Sequence, residues 1–123
     1  WSSMRYGEAE QKLQGGKDKE WVRSAPMYIV GMRNVEENWV RKYDGKAHGD
    51  IDVAIATEHL CLAATERGLG TCWVCNYNTD KMKQLFSRPG FEAVVIIPIG
   101  HIAEDCPHAE KKRKDMSEIV EEI

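Results

Sequence analysis

The stretch 93–99 constrains this chain most, because Val94, Val95, Ile96 and Ile97 follow one another with no polar residue between them. A strand with one face in water alternates apolar and polar side chains. A continuous apolar run means that both faces are covered, as in the centre of a layered α/β sheet. The run predicts a strand over residues 92–99, with Pro98 near its end because proline cannot donate to a ladder. It is far too short to span a bilayer. A second apolar run, Met27-Tyr28-Ile29-Val30 after Ala25-Pro26, predicts another buried strand, and Gly31 ends it or allows close backbone approach.

Between these runs lies the clearest helix. Asp50 is its expected N-cap. Apolar side chains fall at Ile51, Ala54, Ile55, Leu62, Ala63 and Ala64. Ala56, Leu60 and Cys61 widen that stripe, which suggests burial on more than one side. Gly68 stands where a C′ glycine belongs, with Leu69 as its hydrophobic companion. The helix would span residues 51–67, roughly 25 Å at the usual rise. Residues 71–74 look extended, Thr79-Asp80 can cap a short helix through Phe86, and Pro89-Gly90 turns the chain. Asp115 and Glu118 have capping-box spacing for a last amphipathic helix through Ile123. Residues 33–50 are polar, and 42–50 reads as a loop. Residues 1–20 are weakly patterned, with a short helix over 8–13 and a breaker at Gly15-Gly16. No internal repeat is visible.

Composition narrows the classes. The chain has 123 residues, one domain's worth, with 42% hydrophobic and 30% charged side chains. Area scaling has about two-thirds of its surface buried on folding, enough for one modest core. Seventeen basic against twenty acidic residues give a net charge of −3, which argues against a nucleic-acid binder. No basic-then-apolar leader is recognisable, so no signal peptide and no membrane partner are expected.

The four cysteines are Cys61, Cys72, Cys75 and Cys106. Cys72-Trp73-Val74-Cys75 admits three chemistries. A redox pair wants its first cysteine at a helix N-terminus, whereas this one follows a helix in an extended segment. A zinc site needs two more ligands, for which Cys106 and His108 are available without a recognised second knuckle. The third reading is reduced thiols in a cytoplasmic protein, with Cys61 in a helix core. His59 on the long helix reads as a core or interface residue. His101 directly follows the second strand, where sheet proteins often bind ligands. No Ser/His/Asp arrangement is present. The run Lys111 to Lys114 is a solvated face, a locally cancelled patch beside Glu110, Asp115 and Glu118, or a phosphate clamp.

Taken in order, these pieces resemble one family. They are Ala25-Pro26 before a strand, the helix from Asp52 through Ala64, and its closing Gly68-Leu69-Gly70-Thr71-Cys72-Trp73. Val94-Val95-Ile96-Ile97-Pro98-Ile99-Gly100-His101 and Lys111-Lys112-Arg113 follow. The order and spacing are similar to those of the nitroreductase family of FMN-dependent oxidoreductases, from about Trp21 to the end.

The resemblance implies an α+β fold, with a central, mostly antiparallel sheet flanked by helices. It implies an intertwined homodimer with two FMN sites at an interface formed largely by the long helix. It places Trp73, Val74, Cys75 and Asn76 along the flavin, where backbone N–H groups stabilise the charge of the reduced ring. It assigns the FMN phosphate to Arg113 with Lys111, and less directly Lys112, as companion. NAD(P)H is the implied co-substrate, with a small-molecule electron acceptor, and no side chain is needed as general acid or base. The family's Arg-rich start and its Asn-x-Gln-Pro-Trp stretch are missing, and the chain opens on Trp1. Residues 1–123 are therefore expected to be a single domain, the C-terminal two-thirds of such an enzyme. The rivals are a non-catalytic flavin-fold dimer and a thiol or zinc protein using Cys72 and Cys75.

Overall fold

In a computed structural model, residues 2–5, 24–107 and 110–122 are described. The elements are β1 (Ser2–Arg5), β2 (Met27–Asn34), α1 (Gly49–Glu66), β3 (Leu69–Thr71), α2 (Thr79–Leu85) and β4 (Phe91–His101), followed by a 3₁₀ turn at Met116–Glu118. The strands form one sheet in the order β1-β2-β4-β3, and every pairing among the described residues is antiparallel. The short helix expected over 8–13, the breaker at Gly15-Gly16, Trp1, Trp21 and His108 lie outside the described residues.

The continuous apolar run does cover both faces. Tyr28, Val30 and Ile96 meet Met82 of α2 on one side. Val95 and Ile97 meet Val53 and Cys61 of α1 on the other. Each such aliphatic side chain contributes about 1.5–3 kcal/mol by leaving water. A bulge explains why the run does not simply alternate. Gly31 faces Val95 and Met32 faces Ala93, which leaves Val94 as the extra residue on β4. Val94 and Val95 therefore both pack toward α1, while Ala93 and Ile96 pack toward α2.

β4 is longer than residues 92–99, and Pro98 is a correction to the expected strand end. It lies buried in a central strand, opposite Tyr28. The neighbouring edge accommodates it. Ile96 exchanges both backbone hydrogen bonds with Val74, each 3.0 Å, so the backbone groups of residues 96, 98 and 100 face that edge. Pro98 has no N–H to give there. Strand pairing accordingly stops at Thr71↔Ile99 and resumes, in the same register, at Val74↔Ile96.

The long helix runs from Gly49, not Ile51. His48 is its N-cap, with no side-chain cap bond. Asp50 is not the cap. It sits in the first turn, where its charge suits the helix dipole, and bonds Arg33 at 3.2 Å. The buried positions Val53, Thr57, Cys61 and Ala64 form one face, and Thr57 satisfies its hydroxyl by donating to the Val53 carbonyl at 2.7 Å. Ile51, Ile55 and Leu62 lie exposed on the opposite face, so the wide stripe is covered on one side. His59 is exposed on the same helix and is no core residue. Gly68 has φ +71°, as a C′ glycine requires.

Three further expectations change. β1 arises within residues that show little pattern, since its hydrogen bonds to β2 are backbone bonds that need no side-chain alternation. The polar stretch after β2 folds back on itself through a bridge between Val40 and Ala47. The last amphipathic helix does not form among the described residues. Asp115 makes no side-chain cap bond, and one 3₁₀ turn stands there instead. The described residues from 110 onward are exposed, so no packing offsets the cost of helix nucleation.

Candidate functional site

The residues singled out along the chain fall into two regions. Trp73, Val74, Cys75 and Asn76 continue the line of β3 beside β4. Val74 is turned inward, bonded to Ile96 and packed against the cluster of Tyr28, Val30 and Met82. In an extended chain successive residues point their backbone groups to opposite edges. Val74 faces β4, so the N–H groups of Trp73 and Cys75 face the open edge. The amides of Cys75 and Asn76 have no hydrogen-bond partner among the described residues.

The far end of this segment is also tied. Tyr77 donates its phenol hydroxyl to the Ala93 carbonyl at 2.7 Å. Burial pushes the Tyr77 phenol above its usual range, and neighbouring charge at Cys75, Asp50 and Glu92 acts the same way. Asn78 caps α2, accepting from the Lys81 N–H at 3.0 Å. The cap is Asn78 and not Thr79-Asp80. The sequence carried that signal, since asparagine is among the best N-caps. Tyr77 left no such signal, because its partner is a backbone carbonyl 16 residues away.

The thiols are separated by the same extended geometry. Cys72 and Cys75 are both reduced and exposed. Three residues of extended chain put their Cα atoms about 10 Å apart, beyond the roughly 7 Å that a disulfide bridges. Among the described residues no group of three or more His, Cys, Asp or Glu is arranged to hold a metal ion. Cys61 is buried on α1, as expected of a helix core residue.

Lys111, Lys112 and Arg113 stand exposed in an irregular segment beyond β4. No hydrogen bond or ion pair of the described residues joins them to residues 73–76 or neutralises their charge. His101, the last residue of β4, is likewise exposed. Arg33 behaves differently. It donates to Glu92 at 2.7 Å and pairs with Asp50, tying β2 to β4 and to the first turn of α1. The Arg33 hydrogen bond holds the Glu92 carboxyl below its usual range. An open groove of about 350 Å³ between α2 and the start of β4, lined in part by Lys83, Phe86, Arg88 and Phe91, contains none of residues 73–76 or 111–113.

With the geometry in place, comparison with known proteins decides the family. The family model described as the nitroreductase family matches residues 3–101. The chain belongs to the nitroreductase family. A nitroreductase family protein from Clostridium difficile 630 is 34% identical and superposes with a TM-score of 0.85, over 98% of this chain and 70% of that one. An FMN-dependent nitroreductase from Clostridium difficile R20291, 22% identical with a TM-score of 0.66, shares the fold over 96% of this chain and 69% of that one. Mouse iodotyrosine deiodinase 1 is 28% identical over 114 residues, 89% of this chain and 40% of the deiodinase. The chain thus spans about two-fifths of the length of that curated relative, and the family contains members of differing activity. No helix among the described residues is long and apolar enough to cross a membrane.

Proposed function

We propose that this nitroreductase family chain is an FMN-dependent NAD(P)H oxidoreductase. The observation that carries the reading is the edge segment 73–76: tied at both ends, with Trp73, Cys75 and Asn76 exposed and the Cys75 and Asn76 amides without a hydrogen-bond partner among the described residues. Such donors are fixed before any ligand arrives, so they lose little freedom when they meet developing negative charge. The residue types suit a flavin. Trp73, Val74, Cys75 and Asn76 supply backbone and shape along the ring, and no thiol chemistry is required of them. Arg113 and Lys111, exposed and without an ion-pair partner among the described residues, supply cations for the phosphate, the guanidinium through its two-pronged geometry.

The chemistry supplied by bound FMN is hydride uptake from NAD(P)H and reduction of a nitro, quinone or related acceptor in a ping-pong cycle. The protein's part is to hold, orient and tune. Its donors at the open edge stabilise charge there, and the sheet behind them keeps that edge in register. The chain is further proposed to act as an intertwined homodimer, small-molecule acceptors being its other partners. The exposed face of α1, with Ile51, Ile55 and Leu62 in line, supports this, since solvent-exposed apolar side chains grouped on one helix face gain by being covered. Substituting Ile55→Glu should then yield a monomer in sedimentation.

A visible absorbance spectrum of the purified, dialysed protein tests the central claim. A flavin spectrum whose chromophore is released by denaturation and identified as FMN is the expected result. A colourless protein that takes up no added FMN would sink it and favour the non-catalytic dimer.

A further inference from the structure

We infer that Tyr77 is a positioning residue for the redox edge, acting through its hydrogen bond to the Ala93 carbonyl. The inference deepens the FMN reading and rests on it.

The segment that carries the outward donors has two fixed points. One is Val74, locked to Ile96 by a reciprocal pair of backbone bonds. The other is Tyr77, whose hydroxyl reaches Ala93 at 2.7 Å. Between them stand only Cys75 and Asn76, exposed and without hydrogen-bond partners among the described residues. A two-residue span between two ties has little freedom, and its amides stay aimed where the fold puts them. The Tyr77 tie also lands at a particular place. Ala93 adjoins Val94, the extra residue of the β4 bulge, where the ladder is locally disrupted. The phenol therefore satisfies a carbonyl at the bulge and fixes the edge segment to β4 in one contact. Its ring packs against the cluster containing Val30 and Met82, so the hydroxyl cannot swing away freely. Burial raises the phenol above its usual range, which favours the protonated form that donates.

The test is Tyr77→Phe, which keeps the ring in the core and removes only the donor. Two readouts apply. In the flavin-free protein, hydrogen exchange of the Val74 amide should quicken about threefold to tenfold, the range expected for one lost hydrogen bond, while that of the Val30 amide stays unchanged. In the FMN-loaded protein, the two-electron potential should fall, by up to about 30 mV for a tenfold loss of preference for reduced flavin. A ring-fluorinated tyrosine at position 77, a stronger donor of the same shape, should move both readouts the opposite way. Unchanged exchange at Val74 would overturn the tie itself. Quickened exchange with an unchanged potential would overturn its role toward the flavin. If the wild-type protein takes up no FMN, the underlying functional reading fails and takes that role with it, while the exchange measurement still decides whether Tyr77 holds the segment.

Discussion

The segment Trp73–Asn78 and the tail from residue 110 onward carry the two halves of the proposed site, and they are built in opposite ways. The first is anchored by Val74 to Ile96, by Tyr77 to Ala93 and by Asn78 to the first turn of α2. The second is exposed at every described residue, forms one 3₁₀ turn, and leaves Met116, Ile119 and Val120 in solvent. A redox edge needs donors held at fixed positions, which a sheet provides. A phosphate clamp needs charge that can close on an anion, and Lys111 and Arg113 have no ion-pair partner among the described residues. Organisation is invested where geometry sets the chemistry and withheld where binding can supply it.

Truncating the anchor should give the largest contrast. Ile96→Ala removes a buried side chain from the residue paired with Val74 and should cost about 2–5 kcal/mol in urea unfolding. Ile119→Ala in the tail should stay within about 0.5 kcal/mol. Similar losses at both positions would erase the distinction between the two regions.

Next in size is Arg113→Ala. Losing a charge-assisted bond to phosphate should weaken FMN binding by about 1.5–3 kcal/mol, read by flavin fluorescence titration. The melting temperature of the flavin-free protein should not move. An unaltered FMN affinity would remove Arg113 from the site.

A smaller effect comes from the Arg33–Glu92 pair that ties β2 to the start of β4. The Glu92 carboxyl titrates lower in the folded protein than in the unfolded chain. Its stabilisation is therefore present above the ordinary glutamate range and is lost as pH falls through the depressed folded value. Both side chains are partly exposed, so the pair is worth only about 0.2–1 kcal/mol. Glu92→Gln should flatten that part of the acid limb in pH-dependent unfolding, and an unchanged limb would mean that other carboxylates set it.

The smallest effect is expected at Cys75→Ser. If position 75 works through its backbone, FMN binding and turnover should remain close to wild type. Complete loss of activity with flavin still bound would restore thiol chemistry as a contender.

The parts legible in the sequence are those whose causes lie within a few residues. The continuous Val94–Ile97 run declared a strand with two covered faces. Gly68 marked the helix end, where a positive φ excludes most other side chains. The ordered motifs from Ala25-Pro26 to Arg113 indicated the family, and the fold supplies reasons for some of them. Gly70 faces Gly100 across the sheet, and a Cβ on either would press into Ile102 at 2.8 Å or Pro26 at 2.6 Å. Other outcomes were settled by partners distant in sequence. Ser2–Arg5 is a strand because β2 offers an edge. Pro98 sits inside β4 because the adjoining ladder lapses there, and Tyr77 matters because the chain returns Ala93 to its hydroxyl. Residues 115–122 carry a capping pattern yet form only one 3₁₀ turn, since nothing among the described residues covers them. Periodicity and caps act over one or two turns of chain and can be read directly. Pairing, burial and the destination of a hydrogen bond depend on which distant segments meet, and only the folded structure decides that.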